Sequence, residues 1–262
     1  MTMAERQIGV LQSVQVGTPH RYDNASVGDG LGHRWETSFF RTPSALARWL
    51  YTTHLDGNAQ ADTKNHGSPD QAVLLYAAAH YPLWRAEVDR LEIGPGGLGE
   101  NFTIDGLTER TACIGETYAI GEALIQVSGP RYPCAKIERR WGVAGLTARV
   151  AETGRTGWYC RVLREGLVEP GAPVALVERP YPEWTVALVN DFGHNRNKDA
   201  QTARPGGLPA PQPLLTATGR PARRGRGIKD SWLSGAPWTW NKGQRKRGRA
   251  NPRPLYSVVE GA

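Results

Sequence analysis

Gly94-Pro95-Gly96-Gly97-Leu98-Gly99-Glu100-Asn101-Phe102-Thr103-Ile104 is the stretch on which the fold class turns. Its first six residues match the G-x-G-x-x-G pattern of a dinucleotide-binding turn. That pattern means a doubly wound α/β domain only where it follows a buried strand and opens a helix, whose N-terminus then receives the pyrophosphate. Here Glu-Asn-Phe-Thr-Ile follows and reads as a strand, so the Rossmann reading fails on context. The glycines are expected to shape a turn between extended segments.

Outward from this turn, short strand-like runs recur: Ile8–Val16, Trp35–Phe40, Asn101–Ile104, Thr117–Ile120, Leu124–Ser128, Trp158–Leu163 and Val174–Val177, separated by Gly-containing turns. With 31 Gly, 19 Pro and 8% aromatic residues, the composition also favours many short strands over a helical bundle. The expectation is a mainly β fold with helices, a barrel or closed sheet. Pro69–Val88 predicts a helix, with Ser68 as N-cap, Pro69 in the first turn and Val73, Leu74, Ala77 and Ala78 at helical spacing; Pro82 would kink or divide it. Ala135–Arg140 and Leu146–Glu152 predict two shorter helices, the second closed by Gly154.

The net charge of +7 invites a nucleic-acid reading, and its distribution answers it. Residues 195–262 hold 14 Lys and Arg against 3 Asp and Glu, a net of +11, which leaves 18 against 22, or −4, in residues 1–194. The basic character belongs to a Pro/Gly-rich tail whose composition predicts disorder, because it has too little apolar surface to offset chain entropy. A nucleic-acid role would rest on that tail alone and on salt-sensitive phosphate contacts, so nucleic acid is not the expected partner. No run of about 18 apolar residues and no signal-peptide pattern is present, which predicts a cytoplasmic protein without a membrane span. Cys113, Cys134 and Cys160 are odd in number and contain no CxxC pair, against a disulfide framework or a zinc site. Cys113 and Cys160 read as buried and inert.

Cys134 differs. Ser128-Gly129-Pro130-Arg131-Tyr132-Pro133-Cys134-Ala135-Lys136 ends a strand, passes two prolines and delivers a thiol at the expected start of a helix, beside Arg131 and Lys136. Such surroundings favour a thiolate, a soft ligand for a soft metal. Lys64-Asn65-His66-Gly67-Ser68-Pro69-Asp70 puts a cation and an imidazole on a loop ahead of a predicted helix, where free N–H groups suit an anion; a loop His bonded to backbone is the ordinary alternative.

These blocks carry a resemblance. His66-Gly67-Ser68-Pro69-Asp70-Gln71-Ala72-Val73, Gly99-Glu100-Asn101-Phe102-Thr103 with Asp105-Gly106-Leu107, Ile120-Gly121 through Ser128, Pro130-Arg131-x-Pro133-Cys134 and Gly157-Trp158 stand in the order found in the YiiM-like MOSC proteins. The resemblance runs from about Gly9 to Val189. It implies a MOSC β-barrel over residues 1–180, the start of a three-helix C-terminal segment at 181–194, and a molybdenum cofactor, a metal held by a pterin dithiolene. Cys134 falls on the family's metal ligand. The resemblance further implies that the His66 loop, with Gly67, approaches cofactor or substrate, that Asn101 bonds near the pterin and that Arg131 faces its phosphate, with Lys64 and Lys136 as helpers. The implied activity is reduction of N-hydroxylated compounds such as 6-hydroxylaminopurine, with electrons from a separate reductase. A cofactor or sulfur carrier without turnover is the alternative. Ser68 departs from the family's usual Gly, and residues 195–262 do not continue the helical segment; if the missing helices normally cover the barrel, apolar surface would be exposed and a homodimer is expected.

Overall fold

The computed structural model describes residues 6–23, 34–61 and 68–193. They lie in the first of two compact units, residues 1–206; the second, residues 207–262, and the expected tail from 195 lie outside the described residues. In chain order the elements are β1 (Arg6–Val16), β2 (His20–Asp23), β3 (Arg34–Thr37), β4 (Thr42–Ser44), β5 (Arg48–Leu50), a 3-10 turn (Pro69–Gln71), β6 (Val73–Ala77), α1 (His80–Val88), β7 (Phe102–Asp105), β8 (Thr117–Ile120), β9 (Ala123–Pro130), α2 (Lys136–Trp141), α3 (Leu146–Thr153), β10 (Trp158–Arg164), β11 (Gly166–Val168), β12 (Pro173–Glu178) and α4 (Val186–Gly193).

Seven strands close into a barrel in the order β12-β8-β9-β10-β6-β7-β1, with β1 returning to β12 and β4 added alongside β1. Neighbours are antiparallel except β6 and β7, which run parallel. The long first strand closes the ring by changing partners. Arg6 to Val10 pair with β12, Val10 to Val14 with β7, and Val14 to Val16 with β4. Irregularities at Gln7/Gly9 and Leu11/Ser13 re-aim the strand between partners, as bulges do. At the first of them only a glycine fits, since a Cβ on Gly9 would stand 2.4 Å from the Asp105 carbonyl oxygen.

Alternation fixes which face is inside. Along β9, Ala123, Ile125 and Val127 are buried and Leu124, Gln126 and Ser128 half-buried, the period of two that lines a barrel. Leu11, Val14, Leu75, Phe102, Ile104, Tyr118, Trp158, Cys160 and Val174 fill the interior. A second cluster of Phe39, Tyr76, Trp84, Ile93, Leu98, Ile137 and Val150 packs α1, α2 and α3 onto the outer wall.

The mainly β barrel agrees with the sequence expectation, and the strand-like runs at Thr117–Ile120, Leu124–Ser128, Trp158–Leu163 and Val174–Val177 all fall inside β8, β9, β10 and β12. The helix expected over Pro69–Val88 is corrected. Pro69–Gln71 is a single 3-10 turn, Val73–Ala77 is a strand with all five residues buried, and only His80–Val88 is helical. A continuous apolar run between two covering layers is the signature of a strand buried on both faces, and the helical spacing of its residues was accidental. Pro82 sits in the first turn of α1, where the missing N–H removes no bond. Helices at 135–140 and 146–152 agree with α2 and α3 to within a residue, and Gly154 caps α3 in a left-handed conformation. Within residues 181–194, where the resemblance implies the start of a helical segment, α4 begins at Val186, just after Thr185 makes a β-bridge with Cys113.

Candidate functional site

On the outer face of the barrel wall lies a small open cleft with a cavity volume of about 70 Å³. Its walls are the start of β6, the segments leading into β7 and out of β9, and the stretch of β10 where Tyr159 pairs with Leu74. They contribute Leu74, Gly99 with Asn101, Tyr159, and Arg131 with Tyr132, Cys134 and Lys136; the segment between β3 and β4 adds Thr37, Ser38, Phe39 and Arg41. The turn at Pro69–Gln71 contributes Gln71, held in place by Ser128 Oγ donating to the Asp70 carbonyl and by an Arg161–Asp70 ion pair of 2.8 Å.

The glycine turn at 94–99 builds the back of this cleft. Glu100, wholly buried, turns its carboxylate onto the turn, accepting from the backbone N–H of Leu98 at 3.0 Å and of Gly96, and from the Tyr81 hydroxyl. Side chains would not fit here. A Cβ on Gly96 would stand 2.6 Å from the Arg41 carbonyl oxygen and one on Gly99 2.4 Å from the Phe39 ring, so these glycines let the 37–41 segment lie against the turn. Arg140 of α2 locks that segment from the far side, donating to the carbonyls of Phe39 (3.1 Å) and Gly96 (2.6 Å) and lying over the Phe40 ring.

Cys134 is partly exposed and lines the cleft. Its carbonyl accepts from the Ile137 amide at 3.1 Å and the Thr147 hydroxyl at 3.2 Å, which anchors the thiol-bearing backbone to α2 and α3. The sequence-predicted Asn101, Arg131 and Lys136 all line the same cleft. Asn101 and Arg131 are committed to the protein. Asn101 Oδ1 accepts the Leu74 amide at 3.1 Å and its Nδ2 donates to the Gln15 carbonyl at 3.4 Å, while Arg131 donates to the carbonyls of Leu98 (2.9 Å) and Thr156 (3.4 Å). Both brace the floor. Lys64, His66 and Gly67 lie outside the described residues.

Arg41 was not singled out from the sequence. Its Nε and Nη1 are sealed from solvent without an acceptor, although the residue as a whole is only partly covered. Desolvation pulls its pKa down to about 10, and Tyr159 and Glu100 soften the effect. Gln60 Oε1, also in the lining, is another sealed atom without a partner. Burial pushes the Tyr159 phenol up, against the pull of Arg131 and Arg41, so it stays a neutral hydrogen-bonding group. Nothing in the local sequence marks these residues; they meet the Cys134 segment only through the closing of the barrel.

A half-desolvated guanidinium with two donors lacking an acceptor, in a cleft whose described lining holds a thiol and no acidic side chain, is a place for an anionic ligand that also binds a soft metal. The comparisons with known proteins agree with the barrel. Residues 62–175 match the MOSC domain. The chain is 38% identical over 199 residues to the uncharacterized protein YflK of Bacillus subtilis, covering 75% of this chain and 86% of that one. It is 38% identical over 140 residues to a protein named Reductase from Gibberella moniliformis, a stretch that is 52% of this chain and 25% of that one. The crystal structure of YiiM from Geobacillus stearothermophilus superposes with a TM-score of 0.59 at 32% identity, covering 77% of this chain and 94% of that one. The chain belongs to the YiiM-like MOSC-domain family.

Proposed function

We propose that this protein is a molybdenum-cofactor-dependent reductase of N-hydroxylated compounds, acting in the cytoplasm with a separate electron-donating reductase. One observation carries the reading: Cys134 and an Arg41 guanidinium with two donors lacking acceptors share one cleft, and no carboxylate is found among its described lining residues. A molybdenum cofactor presents both a metal that accepts a thiolate and a phosphate, and the two residues match those two ends. MOSC domains are associated with this cofactor in general, and the Gibberella relative is named a reductase.

In this reading Cys134 supplies the protein's thiolate ligand. Arg41, which lines the cleft and has two donors without an acceptor, would receive the phosphate. Asn101 and Arg131 keep the floor rigid through their backbone bonds, so the ligand meets a preformed surface. The bound group supplies two-electron chemistry at the N–O bond, R–NH–OH + 2e⁻ + 2H⁺ → R–NH₂ + H₂O, the electrons coming from the partner reductase. Leu74 and Tyr159 line the cleft beside Cys134 and exclude water there.

The test is molybdenum and pterin content of purified wild type and Cys134→Ala, followed by reduction of 6-hydroxylaminopurine with reduced methyl viologen as donor. Stoichiometric cofactor with turnover in wild type, and loss of turnover in Cys134→Ala, is expected. Cofactor without turnover would turn the reading to a carrier, and no molybdenum from a cofactor-replete host would remove it.

A further inference from the structure

The cleft carries more positive charge than one bound phosphate requires. Among its described lining residues three are cationic, Arg41, Arg131 and Lys136, and none is acidic. Their positions differ. Arg131 is 3% exposed and spends its donors on the Leu98 and Thr156 carbonyls. Arg41 has its Nε and Nη1 on the sealed side. Lys136, the first residue of α2 and two residues from Cys134, is partly exposed, and its lining neighbour Tyr132 is 46% exposed, so this is the side open to solvent. Lys136 makes no ion pair among the described residues. The carboxylate of α2 itself, on Glu138, is turned to the Thr147 amide at 3.1 Å. Glu100, the carboxylate nearest the arginines, is saturated by donors of the glycine turn.

An ammonium group at an open rim, without a counter-ion and beside the metal-binding thiol, meets whatever enters after the cofactor is seated. We propose that Lys136 is a substrate-recognition residue and that the preferred substrates are N-hydroxylated compounds carrying an anionic group, a phosphate monoester above all. The anion rests on Lys136 while the N–OH group points inward past Tyr159 toward Cys134. This rests on the reductase reading, and it assigns the two ends of the cleft differently: the sealed Arg41 for the cofactor's phosphate, the exposed Lys136 for the substrate's. Phosphate offers three acceptor oxygens and nearly two charges, which is why it outranks a carboxylate.

The test compares 6-hydroxylaminopurine with its ribonucleoside 5′-monophosphate on the cofactor-loaded protein, in wild type, Lys136→Gln and Lys136→Arg. A single charge-assisted contact at a partly exposed site is worth about tenfold. Wild type is expected to show a KM for the monophosphate about tenfold below that for the base, a gap that narrows as salt is raised. Lys136→Gln should bring the two substrates to near-equal kcat/KM, and Lys136→Arg should keep most of the preference. A readout without turnover accompanies these: calorimetric affinity for the products adenosine 5′-monophosphate and adenine should show the same gap and the same collapse. Molybdenum and pterin content of Lys136→Gln should equal wild type. Equal affinities for the charged and neutral ligands in wild type would overturn the proposal, as would loss of cofactor in Lys136→Gln, which would give the lysine to the cofactor. Failure of the reductase reading looks different, since neither substrate would then be reduced while calorimetry still reports on the anion site.

Discussion

A guanidinium whose Nε and Nη1 meet neither water nor an acceptor weakens the fold that contains it, and Arg41 is held this way by the Phe39–Gly96–Arg140 clasp around it. Its lowered pKa of about 10 measures that: the charged form is disfavoured in the folded state relative to the unfolded chain, where the usual value is 12.5. For a base with a depressed pKa the penalty is present at all pH values below about 10 and lifts only as pH rises toward the unfolded value. Arg41→Met should therefore stabilise the cofactor-free protein by about 1–3 kcal/mol, read as a higher unfolding midpoint, and should lower cofactor retention. A variant that loses stability and keeps its cofactor would mean that the guanidinium serves the fold and not the ligand. Cys134, with Arg131 beside it, stands out in the sequence as a Pro-flanked thiol, whereas Asn101 is reached only through the resemblance to the family. Arg41 follows two aromatic residues in an ordinary polar loop, and its importance comes from the packing of segment 37–41 against Gly96 and Gly99, which no local pattern encodes.

At the scale of elements, the same limit explains the reading of Val73–Ala77. Five apolar residues satisfy helix and buried-strand templates alike, and the choice is made by β7 and β10 lying on either side. Where one face meets polar surroundings, as in β9, alternation was enough and the strand was legible. The ribbon of β5 and β11 buries Leu50 and Val168 in the core, exposes Trp49 and Leu167 on its other face, and has polar contacts at its end. Glu165 ties its end, accepting from the Thr52 amide at 2.8 Å and the Thr52 hydroxyl at 3.0 Å. Those bonds, the amide's first, hold its carboxyl below the usual range. A depressed carboxyl pKa contributes stability that is complete above the unfolded value, near 4.3, and lost as pH falls through the folded one. Hydrogen exchange at the Thr52 amide should accelerate relative to the barrel strands as pH falls below the usual carboxylate range. In Glu165→Gln it should be fast already at neutral pH and show no acid step; an acid step that survives the substitution would assign it to another group. The effect is a few tenths of a kcal/mol, because the carboxylate is largely solvated.

For the whole molecule, closure of the ring depends on one backbone approach. Gly9 lies where β1 leaves β12 for β7, and any side chain there meets the Asp105 carbonyl. Gly9→Val should cost several kcal/mol, in the range of severe core changes, and lower the guanidinium midpoint accordingly. A variant with wild-type stability would show that the seam between β1 and β7 can separate without loss. Among the described residues no helix is long and apolar enough to cross a membrane. The barrel was legible from the recurrence of short strands; its order was not, since β1 alone touches β12, β7 and β4.

That shared first strand also sets a schedule for acquiring structure. Arg6 pairs with Leu176, so β1, made before every other strand of the barrel, must wait, edge open, until β12 has been made. Pairings of such long sequence separation are slow to form and leave an unpaired strand available to other chains in the interval. Production of this protein in quantity is thus governed by how the nascent β1 is shielded during synthesis, and a slower rate of translation or a chaperone that covers strand edges should raise the soluble yield more than any added stability of the finished barrel.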